Sequence, residues 1–164
     1  DLSSLPEHCG DEDPTYFSFD TSPEPGALTP RHPCWLTYTS EAVHQVIRDN
    51  LDRSPLYGGI IEGIGPRYCP SIEDKVVRFP ERDRHQLFIE PEEAGTDVLY
   101  INGLSSSLPL DVQEKILDRI PGLHSGAMIR PAYAVEYDFV QPRELRLSLE
   151  VKKVPGLLDR KSVV

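Results

Sequence analysis

The chain has 164 residues, a length that suits one domain or part of a larger one, and 38% hydrophobic residues, enough for a modest core. A net charge of −10 disfavours a broad grip on nucleic-acid phosphate, which relies on Lys and Arg, but leaves open RNA recognition through shape and splayed bases. No apolar run is long enough to span a membrane. Asp1-Leu2-Ser3-Ser4 shows no signal segment, and Cys9, Cys34 and Cys69 are too scattered for a structural zinc site and fit a reducing compartment.

Residues 1–33 hold much of the proline and the acidic run Asp11-Glu12-Asp13. This stretch reads as irregular chain wrapping a surface, with a disordered tail as the alternative. Cys34-Trp35-Leu36-Thr37-Tyr38 reads as a strand, being aromatic and β-favouring. Ser40 then caps a predicted helix over Glu41 to Leu51, with Val43, Val46, Ile47 and Leu51 on one face. Leu56 to Gly65 is glycine-rich, but its order is not the dinucleotide fingerprint, and a flexible connector explains it. A short helix is expected from Pro70 to about Arg78, and strands over Gln86 to Glu90 and Val98 to Ile101.

The clearest element is a helix from Pro109 to Ile120. Pro109 suits the first turn, Val112, Ile116, Leu117 and Ile120 make a buried stripe, and Gly122 stops it. Ala134 to Val140 and Leu147 to Val154 are further strand candidates. Strands alternating with helices favour an α/β architecture. Residues 159–164 read as a non-native tail produced by in-frame translation of a sequencing adaptor.

The densest chemistry lies in Gly65-Pro66-Arg67-Tyr68-Cys69-Pro70-Ser71-Ile72-Glu73-Asp74-Lys75. A helix start at Pro70 sets Cys69 at or beside the N-cap, where free N–H groups and Arg67 favour a thiolate. Glu73 and Asp74 oppose that, and a buried, inert cysteine is the alternative. His44, His85 and His124 have no evident partner in sequence. Tyr133, Glu136 and Tyr137 suit either a ligand contact or a half-buried strand face.

Extended to Phe79, the same cluster resembles the signature of the glucose-inhibited division protein A family. Asn50 to Pro55, Glu90-Pro91-Glu92, Tyr100 to Pro109 and Arg130 to Phe139 follow in the family's order, as do Pro33-Cys34 and Leu149-Glu150. The resemblance covers nearly all of residues 1–158, and 34–158 is expected to be a fragment of the FAD/NAD-binding region. It implies an α/β fold, part of a Rossmann-like FAD/NAD(P)-binding flavoprotein with an inserted domain. It also implies synthesis of the 5-carboxymethylaminomethyl group on the wobble uridine of tRNA, using FAD, NADH and a methylene-carrying folate. A GTPase partner subunit and a homodimer come with it.

The resemblance assigns nicotinamide dinucleotide binding to Gly65, Pro66, Arg67, Tyr68, Cys69, Pro70, Ser71, Ile72, Glu73, Asp74, Lys75, Val76, Val77, Arg78 and Phe79. It makes Cys69 the candidate catalytic residue. No metal is implied. The cytoplasm is the expected compartment, with mitochondrion or plastid as alternatives. The glycine-rich FAD fingerprint is expected upstream of Asp1 and the partner-binding domain downstream, so the chain is expected to be inactive alone. Glu93 and Ala132 stand where the family has Gly. Another FAD/NAD-dependent oxidoreductase and a non-catalytic binding module are the alternative readings.

Overall fold

A computed structural model of the protein describes residues 1–11, 18–20, 32–59, 70–93, 95–135 and 138–160. Four strands, β1 (Glu7–His8), β2 (Cys34–Tyr38), β3 (Gln86–Pro91) and β4 (Leu99–Asn102), form one antiparallel sheet in that order. Trp35 pairs with Ile89, and Ile89 with Ile101, so all three share one face. Among the described residues three α-helices, α1 (Glu41–Arg48), α2 (Ile72–Arg78) and α3 (Leu110–Leu117), join the sheet in a mixed α/β architecture.

The core joins this sheet face to the helices. Leu87 and Ile89 from β3, Val43 and Ile47 from α1, Ile72 and Val76 from α2, and Val112 and Ile116 from α3 are buried in one cluster. Full burial of each such side chain is worth about 1.5–3 kcal/mol before conformational entropy is counted. α1 packs on both α2 and α3.

The strand at Cys34–Tyr38 lies where the sequence predicts it. α1 begins as expected, with Ser40 Oγ accepting from Val43 N at 3.4 Å, but it ends at Arg48 rather than Leu51. Asn50 Nδ2 donates to Val46 O at 2.8 Å, satisfying a terminal carbonyl, and Leu51–Arg53 continue as a 3₁₀ turn. α3 stops at Leu117. Its stripe nevertheless runs on, because Arg119 N and Ile120 N donate to Ile116 O and Leu117 O, leaving Ile120 1% exposed. Gly122 follows at φ +86°, and a Cβ there would lie 2.6 Å from Leu5 Cδ1. A glycine therefore lets the N-terminal segment close over α3, where Leu2 and Leu5 pack on the core.

Two expected strands are absent among the described residues. Ala134, Val135 and 138–140 are irregular, and Val135 is 69% exposed, with no strand beside it to cover it. Leu147 to Val154 forms turns with isolated bridges from Leu145 to Val151 and from Glu150 to Leu158. Leu149 sits at φ +67°, in the left-handed region, which breaks any extended run through it.

Candidate functional site

α2 is two turns long, and its polar side chains are tied to two loops. Ser71 is the N-cap, its Oγ accepting from Asp74 N at 3.2 Å, while Ile72 N donates to Ser105 O at 2.7 Å. This corrects one step of the sequence argument. The cap lies two residues beyond Cys69, which is outside the described residues, and two of the N–H groups at the helix start are already engaged.

Ile72 and Val76 set one face of α2 into the core, and that burial carries Glu73 (0% exposed) and Asp74 (4%) inward with them. Glu73 Oε1 accepts from Ser107 N at 2.7 Å and Ser107 Oγ at 2.8 Å. Ser107 Oγ also lies 2.8 Å from Ser54 Oγ. Since the Ser107 hydroxyl proton goes to the carboxylate, Ser54 is the donor to Ser107. Glu73 Oε2 is buried without a hydrogen-bond partner among the described residues.

Asp74 Oδ1 accepts from Tyr57 Oη and from Arg78 Nε, both at 3.1 Å. Burial, and then the Asp74 carboxylate, push the Tyr57 phenol up to about 12. Lys75 Nζ donates to Gly103 O at 3.2 Å. Gly103 has φ +96°, and a Cβ there would meet Gln86 O at 3.1 Å, so glycine permits this close approach. Val77, Arg78 and Phe79 face outward, with the Arg82 guanidinium 5.2 Å from the Phe79 ring centroid.

Of the residues assigned to dinucleotide binding, Gly65 to Cys69 lie outside the described residues. Pro70, Ser71, Lys75, Val77, Arg78 and Phe79 are at least partly exposed, whereas Ile72, Glu73, Asp74 and Val76 point into the fold. Burial, and then the Glu90 carboxylate, push the Cys34 thiol up, against thiolate formation, and Cys9 is exposed in the N-terminal segment. Tyr133 is 75% exposed, while Glu136 and Tyr137 lie outside the described residues.

The structure also joins residues that looked unrelated in sequence. His44 and His85 are buried with ring centroids 5.2 Å apart. Thr39 Oγ1 links them, 2.8 Å from His44 Nε2 and accepting from His85 N at 2.8 Å. A shallow cavity between Trp35, Pro91, Asp97 and Leu99 shares no lining residue with α2. No group of three or more metal-ligating side chains occurs among the described residues, and none of their helices is long and apolar enough to cross a membrane.

Residues 1–159 match the family model described as Glucose inhibited division protein A. The chain belongs to this family. It is 55% identical over 158 residues to the tRNA uridine 5-carboxymethylaminomethyl modification enzyme MnmG of Helicobacter pylori (strain Shi470), covering 96% of this chain and 25% of that protein. With the enzyme of the same name from Lactococcus lactis subsp. cremoris (strain MG1363) it shares 55% identity over 148 residues, 90% of this chain and 24% of the relative.

Aquifex aeolicus GidA in its form I crystal superposes with a TM-score of 0.78 at 52% identity, over 96% of this chain and 27% of that one. The form II crystal gives 0.76 at 45% identity, over 96% and 24%. The chain thus spans about a quarter of the length of the curated relatives it matches. Among the described non-glycine residues only Leu149 has positive φ, so Glu93 and Ala132, where the resemblance expects Gly, do not sit in the left-handed region.

Proposed function

We propose that this chain is part of an enzyme that builds the 5-carboxymethylaminomethyl group on the wobble uridine of tRNA. The observation that carries the reading is the match of residues 1–159 to one family model, with 55% identity to enzymes named for that reaction. In this reading the whole protein uses FAD, NADH and a methylene-carrying folate. It acts as a homodimer with a GTPase subunit in the cytoplasm, or in a mitochondrion or plastid.

The described part of the dinucleotide segment suits a nicotinamide dinucleotide. At the outer end of α2 the exposed Phe79 ring, with the Arg82 guanidinium over it, and Arg78, whose Nε bonds Asp74, are the proposed stacking and phosphate-pairing groups. Bound together, nicotinamide and flavin supply two-electron chemistry. The chain's own contribution is positional: α2 offers its outer residues from a helix whose inner face is locked to the 54–58 and 103–107 loops. Cys69 is the proposed catalytic residue, with Arg67 two residues away in sequence as the cation that favours its thiolate.

The test is nucleoside analysis of tRNA treated with the full-length enzyme carrying Cys69→Ser or Cys34→Ser, with bound flavin measured in both. Cys69→Ser should lose modification and keep flavin, while Cys34→Ser should stay active. Normal modification by Cys69→Ser would remove the thiol from the mechanism.

A further inference from the structure

We propose that Glu73 is a positioning residue for dinucleotide binding, setting the register of α2 from inside the fold without touching the ligand. The inference rests on the proposed function, because it concerns the segment assigned there to the dinucleotide. Glu73 is fully buried, so its carboxylate faces no solvent-accessible site. What it does touch is the 103–107 loop, through two bonds to Ser107 on one oxygen. Ser54 braces Ser107 from the 54–58 loop. One carboxylate therefore fixes the helix to both loops that flank it.

A residue present only for stability would not look like this. Glu73 follows Ile72 on the inward face of an amphipathic helix, and its Oε2 is buried without a partner among the described residues. An unpartnered buried oxygen is costly, and an apolar residue at 73 would in turn leave the Ser107 N–H and hydroxyl without their acceptor. An apolar residue would also carry no directional bond. The Ser107 N–H and hydroxyl converge on Oε1 and set the rotation and height of α2. Its outer residues Arg78 and Phe79 inherit that placement.

The experiment uses the full-length flavoenzyme with Glu73→Met, Glu73→Gln and Ser107→Ala, titrated anaerobically with NADH. Flavin bleaching gives the half-saturating NADH concentration and the limiting rate, while melting temperature and flavin content report the fold. Glu73→Met, which leaves the Ser107 N–H and hydroxyl without their acceptor, should melt somewhat below the parent and keep its flavin, yet need roughly tenfold more NADH at an unchanged limiting rate. Ser107→Ala should shift the same parameter in the same direction, and Glu73→Gln, which keeps an acceptor, should largely restore it.

Ser107→Ala keeps the helix sequence intact, so it decides the matter if Glu73→Met does not fold. Folded variants with parental NADH half-saturation would overturn the positioning role while leaving the functional reading intact. An unmodified enzyme whose flavin NADH does not bleach would overturn the reading itself, and the positioning role with it.

Discussion

Gln113 gives the sharpest test of how the chain beyond α3 is held. Its side chain is 7% exposed and makes three bonds to backbone: Nε2 donates to Leu108 O at 2.7 Å and to Ala132 O at 2.9 Å, and Ala132 N donates to Oε1 at 2.9 Å. It replaces a strand neighbour for residue 132, in a stretch that has no sheet partner. Gln113→Met keeps the volume and removes every bond, which separates hydrogen bonding from cavity formation. At about 1 kcal/mol for each bond, with a further cost of about 1–3 kcal/mol for the buried Leu108 carbonyl left unpaired, the loss should be about 4–6 kcal/mol. Urea unfolding of the 164-residue chain should show the midpoint falling by roughly 1 M or more. Hydrogen exchange should show the Ala132 amide losing protection. A midpoint within experimental error of the parent, with that amide still protected, would refute the assignment of these bonds.

Two further predictions concern titration. Tyr57 has its phenol pushed up to about 12, so it should contribute stability that is whole below pH 10 and disappears as pH rises toward 12. Absorbance at alkaline pH should show a late-ionising phenol that vanishes in Tyr57→Phe; an unchanged curve would break the Tyr57–Asp74 contact. Burial pushes His44 and His85 below the usual imidazole range, with His85 lowered further by His44. Their stabilisation should be whole above pH 6.5 and fall as pH drops through the lowered values, by up to about 1.4 kcal/mol per pH unit for each proton taken up. Unfolding midpoints measured from pH 7.5 downward should show this slope, and His85→Phe should reduce it; equal slopes in parent and variant would deny His85 a part.

The sequence makes legible those elements whose signal is local. β2 is read correctly because Trp35, Thr37 and Tyr38 favour extended chain and Ser40 closes it. α3 is read correctly because a stripe at helical spacing ends on a glycine. The misses have a common cause: alternation alone does not supply a neighbour. Ala134 to Val140 alternates well enough in sequence, but among the described residues no strand pairs with Val135 or Leu147, and a left-handed Leu149 ends extension in the second stretch. Around the site, acidic residues in the first turn of a helix ordinarily read as exposed partners of its dipole. That Glu73 turns inward depends on Ser107, 34 residues later, and no spacing rule joins them. The run Ser105-Ser106-Ser107 and the isolated Ser54 were the available hints, visible only as polar residues beside apolar ones.

A helix of seven residues is too short to persist in water on its own propensity. α2 therefore exists because of its ties: Ile72 N to Ser105, Glu73 to Ser107, Asp74 to Tyr57 and Lys75 to Gly103. The placement of α2, the described helix of the segment that resembles the dinucleotide signature, is thus set by two loops outside it. The three blocks of family resemblance at Asn50 to Pro55, Gly65 to Phe79 and Tyr100 to Pro109 are separate in sequence, yet the described parts of all three contribute to one network through Ser54, Glu73 and Ser107. A substitution in either loop that removes one of these ties acts on α2 as one in the helix does, so the described part of the signature, residues 70–79, belongs to a unit assembled from all three blocks.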